Sequence, residues 1–100
     1  MQNEKSLERE LVLYVKKLGG KCVKFSDGSQ KGAPDRLCLL PDGQAIFIEL
    51  KAPGASVNRY HEKHQANYRK QLRSLGFVAI KADNMEDIID AITYISDSGC

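Results

Sequence analysis

Lys31-Gly32-Ala33-Pro34-Asp35-Arg36-Leu37-Cys38-Leu39-Leu40-Pro41-Asp42-Gly43-Gln44-Ala45-Ile46-Phe47-Ile48-Glu49-Leu50-Lys51 is the stretch on which the fold turns. Two apolar, β-prone runs, Asp35 to Leu40 and Gln44 to Leu50, flank Pro41-Asp42-Gly43. That separator has the chemistry of a three-residue hairpin loop. Proline presets φ at the opening of a type I turn, and glycine takes the left-handed position that closes it. The second run is apolar on both faces, with Ile46 and Ile48 on one and Ala45 and Phe47 on the other. Such a strand is covered from both sides, so the hairpin is expected inside a sheet flanked by helices.

A loop centred on Asp42 sets Asp35 directly opposite Glu49 and leaves Lys51 on the Glu49 face. Two carboxylates facing each other across adjacent strands repel unless a proton, a cation or a basic side chain compensates. Mg²⁺ or Mn²⁺ would resolve the conflict, since both favour hard oxygen ligands, keep several waters and contact phosphate oxygens. The Leu50 main-chain carbonyl is a further candidate ligand. The Lys51 ammonium could orient an attacking water or stabilise charge growing on phosphorus oxygens. By itself, Glu-x-Lys at a strand end is more commonly a surface ion pair of little consequence. Gly32-Ala33-Pro34-Asp35 at the right distance upstream makes it a constellation.

Outward from the hairpin, Leu7, Leu11, Tyr14, Val15 and Leu18 recur at helical spacing from Ser6 to Leu18, and Gly19-Gly20 ends that helix. Lys21 to Phe25 reads as a short strand, followed by a polar, glycine-containing loop from Ser26 to Gly32. After a turn at Pro53-Gly54, a helix is expected from about Tyr60 to Leu75 and a strand from Phe77 to Lys81. Asn84 caps a last helix carrying Ile88, Ile89, Ile92 and Ile95. The order is αβββαβα, an α/β fold with a mixed sheet, in one domain over residues 1–100.

At 42% apolar and 28% charged the chain has ordinary globular composition, and a net charge of +2 does not by itself announce nucleic acid. Cys22, Cys38 and Cys100 form no CxxC pair, which argues against a disulfide framework or a zinc knuckle. His61 and His64 lack the partner ligands of a zinc motif. No signal-peptide core or membrane-length apolar run is present, so a cytoplasmic protein is expected, without membrane association. Basic residues cluster before and after the hairpin. Lys24, Ser26 and Lys31, on the strand and loop leading to Asp35, are the best placed to touch a nucleic-acid backbone.

Lys31-Gly32-Ala33-Pro34-Asp35-Arg36 with Phe47-Ile48-Glu49-Leu50-Lys51 resembles the PD-(D/E)xK nuclease superfamily, and specifically its stand-alone, often phage-encoded VRR-NUC domains. The resemblance implies a restriction-endonuclease-like αβββαβ core plus a C-terminal helix, and kinship with archaeal Holliday junction resolvases. It further implies a metal-dependent, structure-selective endodeoxyribonuclease acting on branched or junction DNA as a homodimer, in the host cytoplasm if phage-encoded. Asp35 and Glu49 would hold the metal with the Leu50 carbonyl. Lys51 would assist water attack, and Arg36 would join Lys24, Ser26 and Lys31 on DNA. An acid on the first helix completes the metal site in the resolvases, making Glu8 the candidate here and Glu4 its rival. Gln65, with Leu72 two turns later, resembles the motif whose amide arranges the active site. A non-catalytic DNA-binding module and a flap- or restriction-type endonuclease are the alternatives.

Overall fold

The computed structural model describes residues 3–52 and 59–98. The turn expected at Pro53-Gly54, and Cys100, lie outside the described residues. The elements run α1 (Glu4–Lys17), β1 (Lys21–Lys24), β2 (Arg36–Leu39), β3 (Ala45–Leu50), α2 (Arg59–Ser74), β4 (Val78–Ala82) and α3 (Met85–Ser98). The expected order therefore holds, with boundaries shifted by a residue or two.

Four strands form one sheet in the order β1-β2-β3-β4, antiparallel except for the parallel β3–β4 pair. The crossover that parallel pairing demands is α2. On one face Leu7, Leu11 and Val15 of α1 and Ile88, Ile92 and Ile95 of α3 bury Ile46, Ile48 and Leu50 of β3. On the other, α2 contributes Tyr68 and Leu72 against Phe47 and Ala79, with Phe25 edge-on to Phe47 at 5.2 Å between ring centroids. β3 is thus covered on both sides, as its composition required.

The hairpin register is the expected one: Arg36 pairs with Ile48 and Leu39 with Ala45. Leu40 N–H donates to the Gln44 carbonyl at 2.7 Å, closing the loop. Gly43 is left-handed (φ 76), yet Asp42 is left-handed too (φ 67, ψ 23). A type I turn would have put Asp42 near φ −90°. Aspartate tolerates the left-handed region because its short side chain can bond locally, which is why the loop keeps its length while changing its turn.

The starts of α1 and α3 rest on asparagines. Asn3 Oδ1 accepts from Ser6 N–H at 2.8 Å and Ser6 Oγ accepts from Asn3 N–H at 3.0 Å, a capping box that starts α1 two residues ahead of expectation. Asn84 Oδ1 accepts from Asp87 N–H at 2.8 Å, the cap expected for α3. Cys22 and Cys38 are free thiols facing each other across β1 and β2, with the Sγ atoms 3.4 Å apart. Among the described residues no helix is long and apolar enough to cross a membrane.

Candidate active site

The site is built where β2 begins and β3 ends. Side chains alternate along a strand, so Phe47, Glu49 and Lys51 share the α2 face while Ile48 and Leu50 point to α1 and α3. Asp35, one residue before β2, continues the ladder: its carbonyl accepts from Phe25 N–H at 2.9 Å. Its side-chain Oδ2 accepts from Leu50 N–H at 3.0 Å, tying the carboxylate to the end of β3.

Glu49 is 3% exposed, an unusual position for a carboxylate. Its Oε2 accepts from Gln65 Nε2 at 3.1 Å and lies 4.0 Å from Lys51 Nζ. Burial pushes the Glu49 carboxyl up to about 8, and the Asp35 charge and a hydrogen bond shared with Asp35 add to the rise. Lys51 and Arg69 pull it back down. A bond between two carboxyls needs a proton on one of them, so without a cation the pair resolves its repulsion by staying partly protonated.

A hard divalent cation fits this donor set. Glu49 Oε1 and Gln65 Oε1 are both buried and have no hydrogen-bond partner among the described residues. Buried oxygens left unpaired are costly and call for a ligand. Among the described residues no group of three His, Cys, Asp or Glu side chains converges. An ion here would therefore use two carboxylates together with neutral oxygens and water, the usual manner of Mg²⁺.

Behind Glu49 stands a charged group that sequence reasoning missed. Lys81 is paired in register with Glu49 on β4, and its Nζ donates to Glu62 Oε2 at 3.0 Å. Arg69, only 8% exposed, donates from Nη2 to Glu62 Oε1 at 3.1 Å, while its Nη1 is buried with no partner among the described residues. The sequence showed Arg69 as one cation in a basic run. The available signal was the seven-residue spacing of Glu62 and Arg69, two turns on one helix face. Arg73, from the same run, is also structural, donating from Nε and Nη2 to the Ala79 carbonyl at 3.0 and 2.7 Å.

Asp35, Glu49, Lys51 and Gln65 are brought together, and other expected members are not. Arg36 is buried and clamps Glu8, with Nη2 and Oε1 3.1 Å apart. Arg36 follows Asp35 by one residue and so points to the α1 face, away from the carboxylate pair. Arg36 and Glu8 therefore hold each other between β2 and α1. Glu4 is exposed in the first turn of α1. Lys24 is exposed and paired with Arg36, hence also on the α1 side. Ser26 and Lys31 line a groove that Gln65 also lines.

Gly32 sets the approach of that loop to α2. At φ +93 it packs so closely that a Cβ would lie 2.3 Å from the His64 carbonyl oxygen and 2.8 Å from Gln65 N. Only glycine permits both the conformation and the contact, and the contact fixes the height of Gln65 over Glu49. Asp27 anchors the other end of the loop, accepting from Tyr68 OH at 2.9 Å and from Ser29 N–H at 2.8 Å.

No family model matches the chain. It is 40% identical over 83 residues to "Putative nuclease p44" of Acyrthosiphon pisum secondary endosymbiont phage 1, covering 83% of this chain and 85% of that protein. The chain belongs to the family of this phage nuclease. A solved chain described as a VRR_NUC domain shares the fold, with a TM-score of 0.76 at 23% identity over 93% of this chain and 97% of that one. In this chain the Gly-x-Pro-Asp loop and the Glu-x-Lys strand end meet through the hairpin register.

Proposed function

We propose that this chain is a VRR-NUC nuclease, a Mg²⁺- or Mn²⁺-dependent endodeoxyribonuclease that hydrolyses phosphodiesters in branched DNA, as the Holliday junction resolvases do. The observation that carries the reading is the mutually repelling pair of buried Glu49 and half-buried Asp35 beside Lys51, with a Glu49 oxygen left without a donor among the described residues. Asp35, Glu49 and the Leu50 carbonyl would hold the ion. When bound, it would polarise the scissile phosphate and lower the pKa of a water. Asp35 and Glu49 then act as fixed anionic walls, and Gln65 holds Glu49 in place through its amide N–H. Lys51, half-exposed at the mouth, reaches toward solvent, where it can orient the attacking water and offset charge on the phosphoryl oxygens. Ser26 and Lys31 supply backbone contacts on the same face.

A four-way junction offers two equivalent strands to cut, so a symmetric homodimer would match it. Leu13 on α1 and Tyr94 on α3, 60% and 68% exposed, are apolar surface on the helices that such a dimer could cover.

The test is cleavage of labelled four-way junction, flap and linear duplex DNA with Mg²⁺, Mn²⁺ or chelator, for the parent chain and for Asp35→Ala, Glu49→Ala and Lys51→Ala. Metal-dependent cutting that all three substitutions abolish is expected. Cutting that survives chelation, or tight DNA binding with no cutting, would sink the proposal.

A further inference from the structure

We infer that the groove between the β1–β2 loop and the first turns of α2 receives one unpaired nucleotide of the strand being cut, stacking its base on Tyr60 and holding its phosphate at Lys31. The site would thereby select branches that carry a single-stranded arm at the cleavage point. The inference rests on the nuclease reading above and narrows its substrate.

The groove encloses about 670 Å³, within the ordinary range of small-molecule sites. Phe25 and Ala33 form its apolar floor, and Tyr60, His61 and His64 form an aromatic wall. Tyr60 is 57% exposed although aromatic, and meets the His64 ring edge-on at 4.6 Å. Lys31 Nζ lies 3.2 Å from Tyr60 Oη and 5.5 Å from the ring centroid. A ring beside a cation is the pairing by which proteins hold single strands: the base stacks and the backbone follows the positive charge.

Position supplies the second line of argument. Gln65 lines the groove and also bonds Glu49, so a phosphate at the carboxylates and a nucleotide in the groove would be neighbours along one strand. The Gly32 contact with His64 and Gln65 holds loop and helix backbones close together, setting the width of the groove between them. A base stacked and paired in duplex cannot enter the groove without being extruded, which costs least where it is already unpaired.

Binding is measured on the full chain in chelator, where no cutting occurs, by anisotropy of a labelled tetrathymidylate and of a blunt duplex. Tyr60→Ala is expected to weaken tetrathymidylate binding about tenfold while duplex binding stays put. Tyr60→Phe should stay close to the parent, because the ring face is kept. Lys31→Gln should lower the salt dependence by about one counterion. With metal restored, the parent should cut a four-way junction that carries a single-stranded arm at the cleavage point faster than a fully paired one, and Tyr60→Ala should narrow that difference. Alanine favours helix, so the fold is expected to persist, checked by circular dichroism. Unchanged tetrathymidylate binding in Tyr60→Ala, or an equal loss in Tyr60→Phe, overturns the groove while leaving the nuclease reading intact. Tyrosine-dependent binding with no cutting in either metal supports the groove and defeats the nuclease reading.

Discussion

The two faces of the sheet handle charge in opposite ways, and adjacent residues mark the difference. Arg36 points to the α1 face and finds Glu8 at 3.1 Å, so its charge is matched within the chain. Asp35 lies on the α2 face opposite Glu49, and like charge meets like. The first arrangement balances its charge within the folded protein, although Arg36 Nε is buried without a partner among the described residues, whereas the second needs a proton or a cation from outside. A charge balanced by the chain serves the fold, and one left unbalanced at a cost to the fold serves a ligand.

The comparison breaks most visibly through activity. Glu49→Ala and Asp35→Ala should each lower cleavage on the order of 10²-fold or more, the scale of losing one electrostatic group at a reacting phosphate, while metal-free thermal stability holds or rises. A clear fall in stability for both, with cutting retained, would make the pair structural.

Glu8→Gln should show the reverse. It leaves the buried Arg36 guanidinium without its anion, and since Glu8 itself is partly solvated the cost should be about 2 kcal/mol, below that of a fully buried pair. Urea unfolding checks the loss, and cutting by the folded fraction should be unchanged. A folded Glu8→Gln protein unable to cut would place Glu8 at the metal site. Gly32→Ala tests the link between loop and helix. The added methyl meets the His64 carbonyl at a left-handed φ, so a loss of about 1–3 kcal/mol is expected, together with reduced cutting as Gln65 shifts from Glu49.

The comparison is sharpened further by pH. Folded Glu49 keeps its proton up to about 8, while the unfolded chain releases it near 4.5. Across that window the folded state binds more protons, so metal-free stability should fall as pH rises from 4.5 to 8 and level off above. Glu49→Gln should flatten that slope. Melting temperatures in chelator across the window decide the matter, and an unaltered slope in the variant would place the titration elsewhere.

Local rules made half of the site legible. The hairpin loop length alone determined that Asp35 faces Glu49, because register in a short hairpin follows from its turn, even though Asp42 adopts a conformation the turn rules did not anticipate. Helix periodicity located α1, α2 and α3. What escaped depends on contacts between distant segments. Glu62, Arg69 and Lys81 meet only because β4 lies parallel to β3 with α2 as crossover, and nothing in the basic run from Arg59 to Arg73 separates a buried arginine from an exposed one. The Glu8–Arg36 pair escaped for a similar reason: the helical face of Glu8 was readable, but which strand residue waited beneath it was not.

The guanidinium of Arg73 bears on how copies of this chain can meet. β4 is one margin of the sheet, and Arg73 doubly occupies the Ala79 carbonyl, so a foreign strand cannot add at that position without evicting it. The other margin, β1, is four residues long and carries exposed Lys21 and Lys24 at its ends. Short, lysine-bearing and occupied margins are how soluble sheets avoid growing into fibrils. Any specific assembly is thereby steered away from continuous sheets and onto the helices.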